Sequence, residues 1–343
     1  MALPFCIYTC SCGRYERGLP RQLRFHIENG GNMMLETVEL RKVFKGKTAV
    51  EEVSLYLDRG ESVGLIGPNG AGKSTTISMI SSLLKPTGGD VRLNGKSVLK
   101  HPQDIRTVLG VVPQEIALYE ELTSYENLKF FGRVYGLNGK ELEIKIQELL
   151  ETVGLRDRQK ELIRTYSGGM KRRINIAAAL LHDPQIVIMD EPTVGIDPQS
   201  RNHILETVRR LNRDNGTTVL YTSHYMEEVE QLCSRMYIMD HGRIIASGTK
   251  EELQHILSGE DTLIIQLNRP NSELAEELRS LESVRQVDET DHGLKLIVMK
   301  NSYILSGIVQ AAERHEVQIQ NIHIQSPSLE DVFLHLTGRK LRD

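Results

Sequence analysis

A glycine-rich segment follows the short apolar run at 63–66 and reads Gly67-Pro68-Asn69-Gly70-Ala71-Gly72-Lys73-Ser74-Thr75. Its spacing is G-x-x-x-x-G-K-[ST], the Walker A pattern, with a buried-type strand before it and a helix predicted over 73–84 after it. Glycines let consecutive backbone N–H groups surround an anionic oxygen, and Lys73 adds a full charge. Ser74 can ligate Mg²⁺ through its hydroxyl. The segment therefore predicts a cradle for nucleotide phosphates. The plainer alternative is a glycine-rich turn with a solvated lysine.

Composition limits the classes of function that the chain can have. The 343 residues suggest about two domains, and 42 Lys plus Arg against 46 Asp plus Glu give a net charge of −4. This balance provides no broad basic field, so no nucleic-acid partner is expected. No apolar run reaches the ~18 residues of a membrane-spanning helix. Three of the four cysteines, Cys6, Cys10 and Cys12, crowd the first dozen residues. Their spacing is poor for zinc, which leaves a metal site as the weaker alternative. No secretory signal is visible, so a reducing cytoplasm fits best.

Residues 1–32 differ in composition from the rest of the chain, being rich in Cys and Arg and without apolar periodicity. A transit peptide is one interpretation, although the serine-rich amphipathic pattern is missing. The preferred hypothesis is a misassigned start, with translation beginning at Met33 or Met34; a start at Met33 would leave 343 − 32 = 311 residues. Two domains are then expected, at 33–258 and 259–343.

Strand-like and helical patterns alternate through 33–258, which predicts an α/β domain. The segment at about 115–170 is mostly helical and is expected to be a helical subdomain inserted into that domain. Its best helix runs from 140 to 153, where apolar residues keep a spacing of three to four, and Gly154 is placed to end it.

Residues 259–343 have a different pattern, with strands and helices predicted in the order βαββαβ. This order indicates a small α+β domain. The chain then ends in an amphipathic helix, for which Ser326 is the expected N-cap and Pro327 the first helical residue.

A second chemical motif ends the apolar run at 185–189, where Asp190 and Glu191 follow directly. This is the Walker B arrangement, in which a buried strand delivers carboxylates to the edge where open α/β sheets bind ligands. We expect Asp190 to hold Mg²⁺, through a water, and Glu191 to orient or deprotonate the water that attacks the γ-phosphate. Alone, the pattern would often be a solvated strand end.

A third motif, Ser167-Gly168-Gly169, opens a predicted helix and forms a second anion site. One chain needs only one phosphate cradle. The second site therefore suggests that two chains clasp each nucleotide, one with its Walker A loop and the other with this Ser-Gly-Gly. The alternative is a capped helix that binds nothing.

The order of these motifs over roughly 35–248 resembles the nucleotide-binding subunit of an ABC transporter. The resemblance implies a P-loop NTPase cassette that uses ATP and Mg²⁺. It assigns adenine stacking to Phe44, contact with Mg²⁺ and the attacking water to Gln114, and the γ-phosphate switch to His224. It makes 167–169 the signature motif and Gly195-Ile196-Asp197 the loop that crosses a dimer interface. Without it, Phe44, Gln114 and His224 would be ordinary edge-strand, loop and surface residues.

The signature departs from the common form, with Tyr166 for leucine, Met170 for glutamine and, in the crossing loop, Ile196 for leucine. This form and the closing Ser-Leu-Glu-Asp-Val-Phe at 328–333 are similar to ATPase subunits of bacterial drug and antibiotic exporters, the daunorubicin-resistance-like group. The resemblance implies a homodimer or pseudo-dimer at the cytoplasmic face of the membrane, with permease subunits on separate chains. A permease helix is expected to dock around Tyr119, Glu120 and Glu121.

Two other functions stay open at this point. One is a soluble ABC-type ATPase that acts on ribosomes or DNA, although such proteins have two cassettes or a long coiled coil. The other is the ATPase of an importer. The sequence does not reveal the transported compound, because specificity would lie in the membrane chains.

Overall fold

The protein is described here by a computed structural model that covers residues 32–254, 256, 260–299, 304–325 and 328–338. Cys6, Cys10, Cys12 and the expected extension up to residue 31 lie outside these described residues. The chain divides into two compact units, one that ends at Ala246 and one that begins at Ser247. This division lies before the expected boundary at 258, because the short helix Lys250–Gln254 packs against the final helix of the second unit.

The first unit contains two sheets. The antiparallel sheet has the order β2-β1-β4-β5 and consists of β1 (Met33–Phe44), β2 (Lys47–Asp58), β4 (Gly88–Leu93) and β5 (Lys96–Ser97). The second sheet has the order β10-β9-β3-β8-β7-β6 and consists of β3 (Ser62–Ile66), β6 (Leu109–Val112), β7 (Ile186–Asp190), β8 (Thr218–Ser223), β9 (Arg235–Asp240) and β10 (Arg243–Gly248). Strands β3, β6, β7, β8 and β9 pair in parallel.

The register of the parallel strands places the Walker A loop, the Walker B carboxylates and the segment with His224 at one edge of the sheet. Ile66, the last residue of β3, pairs with Ser223 at the end of β8, and Asp190 at the end of β7 pairs with Thr222. The segments that follow these strands therefore lie side by side at the carboxyl ends, where such sheets bind ligands. Every residue of β3, β7 and β8 is buried, which agrees with the apolar runs in the sequence.

Seven helices of the first unit connect these strands among the described residues. They are α1 (Lys73–Ile80), α2 (Pro102–Val108), α3 (Ser124–Val134), α4 (Gly139–Thr152), α5 (Gly168–Ala179), α6 (Pro198–Asn215) and α7 (Met226–Leu232). The helical segment predicted at 115–170 contains α3, α4 and two short 3₁₀ turns, at Arg156–Arg158 and Ile163–Thr165. Gly154 has a φ of 64° just after α4, as expected for a glycine that ends a helix.

One local expectation was wrong. Helix α1 ends at Ile80 rather than 84, because Ser81 bonds back to the carbonyl of Ile77 and Ser82 adopts a φ of 56°. Helix α2 was not anticipated from the sequence; this helix of 7 residues buries only Ile105.

The second unit has the predicted βαββαβ order. After α8 (Lys250–Gln254) come β11 (Glu260–Leu267), α9 (Ser272–Arg279), β12 (Val284–Thr290), β13 (Gly293–Met299), α10 (Ile304–Arg314), β14 (Ile319–Gln325) and α11 (Leu329–Thr337). The strands form an antiparallel sheet in the order β12-β13-β11-β14. Side chains from β11, β12, β13, α9 and α10 form its core.

The last helix begins later than expected. Ser328 is its N-cap, and its hydroxyl accepts the N–H of Asp331 in a reciprocal capping box. The prediction that Ser326 caps this helix was therefore wrong, and Ser326 and Pro327 lie outside the described residues. Asp331 also pairs with Lys295 of β13 at 2.5 Å, which lowers the pKa of the Asp331 carboxyl against the opposing effect of its burial. Across the part of the chain that the structure describes, no helix combines the length and apolarity needed to span a bilayer.

Candidate nucleotide-binding site

The Walker A loop connects β3 to α1 in a conformation that requires glycine. Gly72 caps α1 with a φ of 107°, and a Cβ there would lie 2.8 Å from the carbonyl oxygen of Ala49. A Cβ on Gly67 would lie 2.3 Å from the carbonyl oxygen of Met239. The loop therefore packs its backbone against neighbouring backbone and leaves the N-terminus of α1 at the edge of the sheet, the geometry of a phosphate site.

Lys73 is buried, with 4% of its surface exposed. Its ammonium donates to the carbonyls of Gly67 at 2.7 Å and Pro68 at 3.2 Å, and lies 3.0 Å from Oε1 of Glu191. The lysine thus lies along its own loop and joins the Walker A and Walker B motifs.

A cleft of about 200 Å³ opens beside this lysine. Its lining consists of Ala49, Asn69, Gly70, Ala71, Gly72, Lys73, Ser74, Thr75, Gln114 and Glu191. Residues from three predicted motifs therefore meet in one place. A larger cavity of about 530 Å³ lies at the opposite edge of the sheet, beside Gln185 and Thr217, and none of the predicted site residues lines it.

Thr222 of β8 organises the Walker B carboxylates. Its hydroxyl donates to Oδ1 of Asp190 at 2.8 Å and accepts the backbone N–H of Glu191 at 2.9 Å. Glu191 has a φ of 46°, a region in which a residue other than glycine is strained, so this hydrogen bond holds an uncommon backbone conformation. Sequence reasoning missed Thr222, although a hydroxyl one residue before the end of a parallel strand was a visible signal.

The predicted switch histidine contacts the predicted base. Nδ1 of His224 lies 3.2 Å from Oε2 of Glu191, and the His224 ring lies 4.2 Å from that of Tyr225 between centroids. Glu191 therefore bridges Lys73 on one oxygen and His224 on the other. The structure brings these three predicted residues together.

Gln114 lines the cleft, and a buried arginine fixes its backbone. The guanidinium of Arg172 in α5 donates to the carbonyl of Pro113 at 2.5 Å and to that of Gln114. Burial lowers the pKa of Arg172 below its ordinary value. Sequence reasoning assigned no role to Arg172, because only the fold places the N-terminal half of α5 beside the loop after β6.

The Ser-Gly-Gly motif lies beside the expected crossing loop and not in the cleft. Ser167 caps α5 by accepting the N–H of Met170 at 3.3 Å, and Asp197 caps α6 by accepting that of Ser200 at 2.9 Å. That bond from the Ser200 N–H lowers the pKa of the Asp197 carboxyl. A Cβ on Gly169 would lie 2.2 Å from Oγ of Ser200, so the two helix starts touch. Ser167, Gly168, Gly169 and Asp197 are absent from the cleft lining.

Phe44 ends β1 with 45% of its surface exposed, and the ammonium of Lys42 lies 5.1 Å from the ring centroid. It does not line the cleft, whereas Ala49 of the same hairpin does.

Tyr166, the departure from leucine in the signature, is buried and donates its hydroxyl to the carbonyl of Arg158 at 2.6 Å. Burial raises the pKa of Tyr166. The tyrosine thus anchors the helical segment to the start of α5.

Comparison with known protein families agrees with this geometry. The ABC transporter family model matches residues 50–194, and the model for the C-terminal domain of ATP-binding proteins like DrrA1-3 matches residues 248–337. Two solved structures share the fold. The ATP-binding subunit of an ABC transporter has a TM-score of 0.60 at 34% identity, covering 66% of this chain and 93% of that one. A cassette solved as a dimer in a post-hydrolysis state with ADP and Pi has a TM-score of 0.59 at 27% identity, covering 63% and 98%.

Curated relatives match over nearly the whole length. The linearmycin resistance ATP-binding protein LnrL of Bacillus subtilis (strain 168) is 48% identical over 312 residues, covering 90% of this chain and 100% of the relative. The daunorubicin/doxorubicin resistance ATP-binding protein DrrA of Streptomyces peucetius is 38% identical over 312 residues, covering 90% and 94%. A Nod factor export ATP-binding protein I of Cupriavidus pinatubonensis is 36% identical over 315 residues, covering 90% and 92%.

The chain belongs to the ATP-binding subunits of ABC transporters, and it binds and hydrolyses ATP on a P-loop cassette. Within that family it carries a DrrA-like C-terminal domain, as the drug-resistance subunits do. The family and fold class predicted from the sequence are confirmed.

Proposed function

We propose that this chain energises the export of a drug, antibiotic or other amphiphilic compound through membrane permease subunits on separate chains. The observation that carries the proposal is the full-length similarity to linearmycin and daunorubicin resistance ATP-binding proteins, C-terminal domain included. We would not expect this second domain in an importer subunit or in an ATPase that acts on ribosomes or DNA.

The working unit is a head-to-tail dimer, either of two identical chains or of this chain with a paralogue. The cleft contains the Walker A loop, Gln114 and Glu191, whereas Ser167 and Asp197 lie together elsewhere on the same unit. A second copy can supply its Ser167–Gly169 to the exposed side of the nucleotide, and the loop with Asp197 would lie at the same interface. Each ATP is then held between two chains, and Phe44 stacks on its adenine.

Within each composite site the residues have distinct roles. Lys73 and the loop N–H groups bind the phosphates. Glu191 accepts a proton from the attacking water while the oxygen of that water bonds to the γ-phosphorus and the bond between the γ-phosphorus and ADP breaks. His224 and Gln114 position Glu191, the water and the γ-phosphate. The oxygen donors Ser74, Gln114 and Asp190 suit Mg²⁺, a hard cation that takes few protein ligands beside phosphate. When bound there, the ion would neutralise charge on the phosphates.

The permease contact is an aromatic surface on the helical segment. Tyr119 is 50% exposed and its ring lies 5.0 Å from that of Phe130, which is 42% exposed. The neighbouring Glu120 pairs with Lys171 at 2.6 Å and Glu121 with Arg164 at 3.8 Å. Two exposed rings beside each other suit an apolar helix of a partner at the cytoplasmic face of the membrane.

The test is to isolate the chain from its native membrane and to identify the proteins that co-purify. We expect a multi-span permease, together with increased sensitivity to membrane-active antibiotics in cells that lack the chain. A Tyr119→Ala variant should lose the permease and keep ATP binding. Co-purification with ribosomes or DNA, or unchanged sensitivity across such a panel, would overturn the export proposal.

A further inference from the structure

A buried carboxylate lies behind the catalytic residues and contacts none of them. Glu228 of α7 is 2% exposed, and its Oε2 accepts three hydroxyl groups. These are the hydroxyls of Thr193 at 2.8 Å, Ser223 at 2.9 Å and Tyr221 at 3.0 Å. Thr193 lies two residues after Glu191 of the Walker B motif, and Tyr221 and Ser223 belong to the strand that leads to His224. One oxygen therefore joins two segments of the active site.

The other carboxylate oxygen faces the helix that begins at the expected crossing loop. Oε1 of Glu228 lies 3.4 Å from Nε of Arg201, an ion pair with the carboxylate end buried. Arg201 lies in the first turn of α6, where its N–H bonds to the carbonyl of Asp197 at 2.9 Å. Its guanidinium also lies 4.7 Å from the ring centroid of Tyr225, the neighbour of His224.

Alternate side chains of strand β8 contact the Walker B residues on one face of the sheet and Glu228 on the other. Thr222 bonds to Asp190 and Glu191, whereas Tyr221 and Ser223 point the opposite way, to Glu228. The hydroxyl of Ser223 also accepts the N–H of Tyr225 at 2.9 Å. The backbone on both sides of His224 is thereby tied to Glu228.

We propose that Glu228 is a positioning residue that couples the loop at 195–197 to His224. The inference rests on the proposed dimer, in which that loop lies at the interface with the partner. Movement of α6 when the partner binds shifts Arg201, and Glu228 passes the shift through Ser223 to the switch histidine. Closure of one interface then sets the geometry at Glu191 of the same chain.

The chemistry requires a carboxylate at this position. Three hydroxyl donors need an acceptor on one oxygen, and the Arg201 guanidinium needs a negative charge on the other, and only a carboxylate supplies both. A glutamine of the same shape would direct its NH₂ either at the hydroxyls or at Arg201, so one connection is lost whichever way the amide lies.

The test compares Glu228→Gln with Glu36→Gln in the full-length protein. Glu36 is a matched control, since it is also a buried glutamate near an arginine, Arg92 at 3.8 Å, but on β1 of the other sheet. We expect Glu228→Gln to lower kcat about tenfold, to leave the ATP concentration at half-maximal rate nearly unchanged, and to convert a sigmoidal ATP dependence into a hyperbolic one. Glu36→Gln should keep the wild-type kcat and sigmoidal dependence.

Two further variants keep the test decisive if Glu228→Gln folds poorly. Ser223→Ala should lower kcat without changing the KM, and Arg201→Ala should remove the sigmoidal dependence. Adding Glu228→Gln to Arg201→Ala should cause little further loss, because both act through one connection. Wild-type kcat and cooperativity in Ser223→Ala and Arg201→Ala would overturn the inference. If instead the wild type hydrolyses ATP as a monomer with hyperbolic kinetics, the proposed dimer fails, and this inference fails with it.

Discussion

The ammonium of Lys73 lies 3.0 Å from Oε1 of Glu191, and both side chains are buried. The cation that we expect to bind phosphate therefore neutralises the expected catalytic base. Because phosphate oxygens compete for the same ammonium, nucleotide binding would draw Lys73 away and leave Glu191 to His224 and the attacking water. The base would then be available only once a nucleotide is in place.

Replacement of Lys73 by alanine should weaken ATP binding by about 2 kcal/mol, the contribution of hydrogen bonds to a charged group. This corresponds to about a thirtyfold rise in Kd, measured by titration with a fluorescent ATP analogue. Lys145→Ala is the control, since it removes a lysine that pairs with Asp183 far from the cleft. Normal affinity in Lys73→Ala would contradict the cradle.

Replacement of Glu191 by glutamine should retain ATP binding and lower turnover by at least about 100-fold, because the amide cannot accept the proton. ATP should then accumulate a stable dimer, visible as a shift in gel filtration that ADP does not cause. Phosphate release at the wild-type rate would remove Glu191 from the role of base.

The sequence predicted those parts of the site that depend on local patterns. The glycine spacing at 67–72 and the apolar strand before Asp190 are patterns of residues that are adjacent in sequence. The phosphate loop, the strand and their position at the carboxyl edge of the sheet could therefore be inferred from the sequence. Thr222 and Arg172 escaped because their partners are 30 or more residues away in sequence. Glu228 escaped because its contact with Thr193 spans 35 residues, and only the fold joins that residue to the nearer Tyr221 and Ser223. The cap at Ser328 was missed because two serines and a proline at 326–328 offer several starts, and only the bond to Asp331 distinguishes them.

Replacement of Arg172 by methionine should loosen the loop that carries Gln114. The carbonyls of Pro113 and Gln114 lose the donor that Arg172 supplies, which costs about 2 kcal/mol of stability, and kcat should fall further than that loss explains. Urea denaturation and ATP hydrolysis measure the two effects. Arg210→Met is the control, because Arg210 also donates to a backbone carbonyl, that of Thr152 at 3.0 Å, but away from the cleft. Equal kcat values in the two variants would show that Arg172 acts on stability alone.

Burial of His182 makes the stability of the first unit depend on pH. Its Nε2 bonds to the carbonyl of Leu109 at 3.1 Å, and its ring stacks on Tyr135 at 4.0 Å. Burial lowers the pKa of His182 below its ordinary value of 6.5. The unfolded chain therefore binds a proton at a higher pH than the folded chain does, so the free energy of unfolding should fall as the pH decreases below about 6.5.

His182→Phe keeps a ring beside Tyr135 and cannot titrate, so its loss of stability between pH 7.5 and 5.5 should be smaller than that of the wild type. Some dependence should remain, because burial also lowers the pKa of His203. His241→Gln serves as the control for replacing a histidine, since the His241 side chain is 80% exposed. Urea denaturation at the two pH values measures the change in the free energy of unfolding for each protein. Contributions from the carboxylates cancel when the variant is compared with the wild type, because both proteins contain the same carboxylates. A slope in His182→Phe equal to that of the wild type would mean that protonation of His182 does not oppose folding.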